Sequence, residues 1–135
     1  MEDAVKKLFE RYERLFNQAL GGDMDAQALA SLYASDFIAA SPAGVRSGKN
    51  DAQLWEIMAQ GYDRHRIRRV DISPIDENHC IAHVAWTASY ARKDRPDVAI
   101  DFDIHYLVQK LRAEAKVFGW VSGDEEALLK EHGIT

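Results

Sequence analysis

Four ionisable side chains in the second half of the chain have the residue types that acid–base or metal chemistry requires. Asp101 and Asp103 lie two positions apart in a segment of alternating apolar and polar residues, so both carboxylates are expected on one face of a strand. Two carboxylates that close can form an acid–base dyad or hold a cation. His83 and His105 share the parity of the aspartates and predict either a His–Asp site or a polar outer sheet face.

The spacing of the histidines favours the polar outer face. No HxH or HxxxH pattern concentrates two ligands on one element. The imidazoles are then expected to form hydrogen bonds where the sheet meets a dimer partner. The aspartates are expected to face arginines, with Arg92 or Arg95 within reach across a hairpin. The four residues remain the candidates for catalysis, and we expect no bound metal.

Aromatic residues carry a second signal, because many fall at positions predicted to face inward. They are Tyr33, Trp55, Tyr62, Trp86, Tyr90, Tyr106, Phe118 and Trp120. Some must fill the core, but three tryptophans and several tyrosine hydroxyls exceed what a core of this size needs. An apolar cavity with a few polar groups is the usual form of a small-molecule site. The sequence is compatible both with a ligand pocket and with a solid aromatic core.

Composition limits the classes of protein to consider. A chain of 135 residues with 47% hydrophobic and 29% charged residues fits one globular domain spanning 1–135. The net charge of −5 offers no basic footprint for nucleic acid. No apolar run approaches the roughly 20 residues of a membrane helix, and a single cysteine, Cys80, cannot form an internal disulfide. We therefore expect a cytoplasmic protein without membrane contact, and no phosphate-loop motif indicates a cofactor.

Hydrophobic periodicity divides the chain into helices followed by strands. Spacings of three and four predict helices over 3–20 and 25–33 and a third beginning at Asn50 or Asp51. A short strand over 37–41 and an extended segment over 45–49 separate the last two helices. Period-two patterns then predict strands over 67–75, 80–92, 98–110 and 114–121, and Ser122 opens a short last helix. This order indicates an α+β fold, with the even positions of the strand from Val98, including Ile104, facing inward.

Several segments resemble the NTF2-like superfamily, within it the SnoaL-like and ketosteroid-isomerase-like bacterial proteins. The resemblance spans the chain and is clearest at residues 32–37, 41–44, 47–49, 99–102 and 117–121. It implies a cystatin/NTF2-like cone, in which N-terminal helices pack on a curved antiparallel sheet. It also implies a deep, largely apolar pocket between helices and sheet, and a homodimer formed through the outer sheet face.

The resemblance does not extend to the residues that steroid isomerisation requires. That chemistry implies a carboxylate base before a proline, and the residue before Pro42 is Ser41. The place of the protonated acid falls on Ile104, because an inward Asp103 would turn three apolar side chains out of the pocket. Steroid isomerase activity is therefore not expected.

Three hypotheses follow. The first is a domain that binds a small apolar organic molecule in the cone, where Ser41, Tyr62, Tyr90 and Tyr106 orient it. The second is a cofactor-free isomerase, lyase or hydrolase on the same scaffold, and the third is a dimeric interaction module without a ligand. The predicted pocket lining is Tyr33, Ser41, Trp55, Met58, Tyr62, Trp86, Tyr90, Ile104, Tyr106, Phe118 and Trp120.

Overall fold

Two helices precede a six-stranded sheet in the computed structural model, which describes residues 1–20, 25–49, 64–92, 95–112, 114–123, 127, 130 and 131. The elements are α1 (Glu2–Leu20), α2 (Ala26–Ala30), β1 (Tyr33–Ser41), β2 (Gly44–Lys49), β3 (Arg64–Pro74), β4 (His79–Arg92), β5 (Arg95–Leu111) and β6 (Glu114–Ser122). The predicted third helix lies outside the described residues. In the predicted last helix, the described residues Ala127, Lys130 and Glu131 are helical, whereas Ser122 belongs to β6.

The first helix forms where its apolar positions recur at helical spacing. One face is buried against the sheet and consists of Val5, Leu8, Phe9, Tyr12, Leu15 and Phe16. Glu2 and Asp3 lie in its first turn, where their negative charge complements the helix dipole. This helix is therefore fixed both by its own sequence and by the concave face that it covers.

The second helix is shorter than its sequence predicts. Asp25 caps it by accepting a hydrogen bond from Ala28 N at 3.0 Å, but the helix ends at Ala30 instead of continuing to residue 33. Tyr33 instead begins β1 and pairs with Val117 of β6, while Leu32 O accepts from Val117 N at 2.9 Å. Strand pairing with a distant element thus overrides the local helical spacing.

The sheet has the strand order β2-β1-β6-β5-β4-β3. Neighbouring strands are antiparallel except β1 and β6, which run parallel, so the sheet is mixed. Register shifts interrupt several of the pairs, and such bulges bend a strand and increase its twist. The result is a curved, unclosed sheet packed against the N-terminal helix, which confirms the α+β, cystatin-like cone.

The inner face of the sheet follows the predicted alternation. Cys80, Val84 and Trp86 of β4 and Tyr106 and Val108 of β5 are buried in one core with α1. Side chains of opposite parity on these strands face away from the helix. The sheet therefore has an apolar concave face, which forms the core with α1, and an outer face that contains the ionisable residues.

Candidate functional site

The inner wall contains two pairs of hydrogen-bonded aromatic side chains. Trp86 Nε1 donates to the Tyr106 hydroxyl at 3.1 Å, across the paired strands β4 and β5. The Tyr33 hydroxyl donates to the Tyr12 hydroxyl, which joins β1 to α1. All four side chains are buried. The polar groups of the inner wall are therefore satisfied within an otherwise apolar surface.

Tyr12 occupies the centre of this cluster. Its ring stacks on Phe16 at a centroid distance of 4.7 Å and lies 5.5 Å from Trp86, 5.7 Å from Tyr106 and 5.8 Å from Tyr33. Helical spacing placed Tyr12 on the buried face of α1, but only the packing of helix on sheet brings it to the predicted wall residues. The part of the cone beneath α1 is thus filled by side chains.

Burial also determines the protonation state of the Tyr33 phenol. Removal from solvent raises the pKa of Tyr33 well above its ordinary value, and the nearby Tyr106 raises it further. The hydrogen bond with Tyr12 acts in the opposite direction and is the smaller effect. Tyr33 is consequently a neutral phenol at physiological pH, which allows it to donate a hydrogen bond.

Other inner-face residues next to the cluster keep part of their surface accessible. Phe102 and Ile104 of β5 and Trp120 of β6 pack against the core but are only half-buried. Phe37 is stacked on Trp120 with a centroid distance of 5.0 Å. The predicted wall residues Tyr33, Trp86, Ile104, Tyr106 and Trp120 therefore lie on one continuous concave face, from a filled end to an accessible end.

The remaining predicted wall residues do not join this face in the described part of the chain. Ser41 is exposed at the end of β1, where its Oγ accepts a hydrogen bond from Ala43 N at 3.2 Å and so stabilises the turn before β2. Three predicted residues, Trp55, Met58 and Tyr62, lie outside the described residues, as does the side chain of Tyr90.

The structure places Phe118 differently from the expected inward orientation. Val117 and Trp120 both face the core, and the register of β5 with β6 shifts between Leu107 and Val108. Phe118 is the extra residue of this bulge, and its ring lies edge-on to His79 at a centroid distance of 6.1 Å. The inward-facing residues Val117 and Trp120 are three positions apart instead of two, and this spacing is the sequence signal for the bulge.

The four catalytic candidates all lie on the outer face. In the register of β4 with β5, His83 pairs with His105, Asp103 with Ala85 and Asp101 with Thr87. Along their strands, the four candidates alternate with residues that face inward. The carboxylates are largely exposed, at 64% for Asp101 and 53% for Asp103. They are therefore separated from the aromatic wall by the thickness of the sheet.

Arg68 organises these carboxylates, a role that Arg92 or Arg95 was expected to fill. Its guanidinium lies 3.6 Å from Asp101 Oδ1 and 3.8 Å from Asp103 Oδ1. Its Nε and Nη2 also donate to Trp86 O, at 3.3 and 3.1 Å. Arg68 is the extra residue of the bulge in β3, between Ile67 and Arg69. The inward positions in this strand are Ile67, Val70 and Ile72. Their spacing departs from period two at Arg68, and this departure is the sequence signal for the bulge.

The histidines form a cross-strand stack. The rings of His83 and His105 are 4.4 Å apart with an interplanar angle of 12°. His83 Nε2 lies 3.6 Å from Asp103 Oδ2 and has no hydrogen-bond partner in the described part of the chain. Within those same ranges, no three His, Cys, Asp or Glu side chains are arranged to hold a metal ion. Cys80 is fully buried, and burial raises the pKa of its thiol.

The family assignment follows from a sequence model that covers nearly the whole chain. Residues 2–125 match the model of a family described as NTF2-like protein (DUF6841). The chain belongs to this NTF2-like family. The cone, the curved sheet and the N-terminal helix of the NTF2-like chain agree with that assignment. No curated protein matches the sequence.

Solved structures share the NTF2-like fold at low sequence identity. A candidate scytalone dehydratase from Novosphingobium aromaticivorans is 16% identical with a TM-score of 0.70, covering 89% of this chain and 80% of the other. A ketosteroid isomerase-like protein from Erwinia carotovora atroseptica is 15% identical with a TM-score of 0.65, covering 90% and 93%. A protein of unknown function with a cystatin-like fold from Nostoc punctiforme is 16% identical with a TM-score of 0.67, covering 90% and 89%.

Hydropathy gives no indication of a membrane span. Among the helices in the described ranges, none is long and apolar enough to cross a bilayer.

Proposed function

We propose that the chain binds a small, largely apolar organic molecule at the accessible end of the inner face. The observation that carries this proposal is the half-buried strip of Phe102, Ile104 and Trp120 beside the buried Trp86–Tyr106 pair. A surface that combines apolar contact area with a few fixed polar groups is typical of small-molecule sites.

The exposed part of the wall determines which ligands fit. Trp86 and Tyr106 are both buried and hydrogen-bonded to each other, so the surface offered to a ligand is the apolar one of Phe102, Ile104 and Trp120. Ion pairs with a ligand are not expected at this wall, because the ionisable candidates face the opposite side of the sheet. The ligand class is therefore neutral, such as a ketone or an alcohol.

Binding is better supported than catalysis. Two structural neighbours are described as a candidate scytalone dehydratase and as a ketosteroid isomerase-like protein, which supports a small organic ligand whether or not it reacts. An isomerase or dehydratase also needs a general base within hydrogen-bond reach of its substrate. Asp101, Asp103, His83 and His105 are on the outer face and do not meet this requirement at the inner wall.

Calorimetric titration with acetophenone tests the proposal. We expect the wild-type chain to bind with a dissociation constant of about 1 mM or lower, a value typical of a weak small-molecule complex. Trp120→Ala should weaken binding by about three- to tenfold, since burial of part of an aromatic side chain against a ligand contributes roughly 1 kcal/mol at about 25 cal/mol per Å². Ethylbenzene, which lacks the carbonyl, should show a similar loss in Trp120→Ala, because the contact is apolar.

The matched control is an aromatic residue outside the inner wall. Phe118→Leu removes a ring on the other side of the sheet and should leave acetophenone affinity unchanged. Absence of binding to wild type up to the solubility limit, or an equal loss in Phe118→Leu and Trp120→Ala, would contradict the proposed pocket.

We further propose that a second copy of the chain covers the outer face. Val45, Ala40 and Val121 lie in one row across β2, β1 and β6, and Ile38 is two residues along the same face. Val45 is 75% exposed, Val121 47% and Ile38 45%. This apolar patch adjoins the charged cluster around Arg68, which contains both signs of charge. An apolar centre bordered by mixed charges suits a self-complementary two-fold interface.

Light scattering during size-exclusion chromatography tests the dimer. We expect a dimer for the wild-type chain and a monomer for Val121→Lys, because an interfacial lysine would be desolvated without a partner. Leu111→Lys is the control, since Leu111 is 59% exposed but lies at the end of β5, away from the patch. A monomeric wild type, or equal dissociation of the two variants, would refute the interface.

A further inference from the structure

A groove on the outside of the seam between α1 and β6 is separate from the inner wall. Its volume is about 350 Å³, and its floor includes the small or apolar side chains of Ala4, Leu8 and Ala115. Lys7 and Arg11 border the groove on the helix side. A volume in this range accommodates a small organic molecule.

Three cations surround this floor. Lys7 and Arg11 are four residues apart, so their side chains lie on one face of α1. Lys116 of β6 borders the same groove, and both Arg11 and Lys116 are half-buried. None of the three forms an ion pair or hydrogen bond with the described part of the chain. Lys6, by contrast, is paired with Glu2 at 3.1 Å.

The charge balance of the groove is opposite to that of the whole chain. Among the described residues that line the groove, Lys7, Arg11 and Lys116 contribute three positive charges and Glu114 one negative charge, which leaves a net charge of +2. The chain as a whole has a net charge of −5. Cations that are held together without partners on an acidic protein create a local positive potential that attracts an anion.

We propose that this groove binds the phosphate group of a small organic phosphate monoester. Such a group carries a charge of roughly −1.5 to −2 at pH 7, which complements the net charge of the groove. The planar guanidinium of Arg11 can form two parallel hydrogen bonds with phosphate oxygens, and Lys7 and Lys116 add point charges. The apolar floor of Ala4, Leu8 and Ala115 contacts the organic part of the ligand.

Among the described lining residues, Glu114 is the one that opposes an anion. It is exposed and also borders a neighbouring groove of about 450 Å³, which extends towards Tyr33 and Leu111. Its carboxylate therefore limits affinity for a phosphate, and its neutralisation should strengthen binding. This gain is informative because a partly unfolded variant cannot produce it.

Calorimetric titration with phenyl phosphate at constant ionic strength and pH 7.5 tests the proposal. We expect Arg11→Gln and Lys116→Gln each to weaken binding about tenfold, consistent with the loss of a charge-assisted hydrogen bond. Glu114→Gln should tighten binding by about two- to threefold, the size of a partly screened charge effect. Benzoate, which carries a single charge, should bind more weakly than phenyl phosphate. The difference in affinity between phenyl phosphate and inorganic phosphate measures what the ring contributes to binding.

Lys6→Gln is the matched control, because it makes the same charge change on the same helix outside the groove. It should leave phenyl phosphate affinity unchanged. The proposal is overturned if wild type does not bind phenyl phosphate at 10 mM, a concentration far above about 1 mM affinity. It is also overturned if Lys6→Gln weakens binding as much as Arg11→Gln, since net charge alone would then explain the effect.

Discussion

Trp86→Ala is expected to lower the free energy of unfolding by about 3–5 kcal/mol, the usual range for truncation of a buried tryptophan. Trp86 is only 2% exposed and contacts the Tyr12 ring of α1. Its indole N–H also donates to the Tyr106 hydroxyl. The substitution therefore leaves a cavity between sheet and helix and removes a buried hydrogen bond. Urea denaturation followed by far-UV circular dichroism measures the loss.

Two further variants distinguish this effect from a general cost of losing an aromatic ring. Phe118→Ala removes a ring on the other side of the sheet, where it is only half-buried, and should cost less than half as much. Trp86→Phe keeps most of the packing and provides a measurable intermediate if the alanine variant does not fold. A loss below about 1 kcal/mol for Trp86→Ala would contradict its place in the core, since effects that small are typical of surface substitutions, which usually stay within about 0.5 kcal/mol.

The sheet could be predicted from the sequence because its alternation is long and regular. Cys80, Val84 and Trp86 share one parity in β4, as do Tyr106 and Val108 in β5, and all are buried as expected. Burial of one face fixes the register of such strands, because a slip by one residue would expose the whole apolar set. The predicted outward orientation of the ionisable residues follows from the same pattern.

Bulges limited the prediction of the site. Ile67 and Val70 both face inward at a spacing of three, as do Val117 and Trp120, so one residue is inserted in each strand. A strict period of two assigns the inserted residue to the wrong face or overlooks it. Arg68 was missed for this reason, although it contacts both carboxylates of the outer cluster.

Contacts between distant segments limited the prediction further. The helical spacing of α1 identifies Tyr12 as buried but does not show that its ring reaches Trp86 and Tyr106. The parallel pairing of β1 with β6 also has no local signal, because the strands are separated by most of the chain. Both features depend on how helix and sheet pack together, so periodicity within single elements cannot supply them.

Gly119→Ala is expected to lower the free energy of unfolding by about 1–3 kcal/mol, the cost of overpacking at a close contact. A Cβ atom at Gly119 would lie 2.9 Å from Ile38 O and 3.1 Å from Leu107 Cδ1. The Leu107 methyl group is the end of a flexible side chain and can move. The Ile38 carbonyl belongs to β1, which is paired on both sides, so relief requires β1 and β6 to separate. Chemical denaturation of both proteins measures this difference.

The neighbouring Gly123 provides the control, because a Cβ atom there would meet no atom within 4 Å. Gly123→Ala should therefore change stability by less than about 0.5 kcal/mol, as surface substitutions usually do.

In the double variant Gly119→Ala/Leu107→Ala, the Leu107 contact is absent but the Ile38 carbonyl contact remains. In the Leu107→Ala background, the Gly119 methyl should thus still lower the free energy of unfolding, but by less than in the wild-type background. The difference between the two costs measures how much of the effect comes from the Leu107 contact. Equal stability of the Gly119 and Gly123 variants would show that β1 and β6 are not packed this closely. A confirmed cost would show that β1 and β6 are packed closely at the Gly119–Ile38 pair, which lies beside Trp120 of the inner wall.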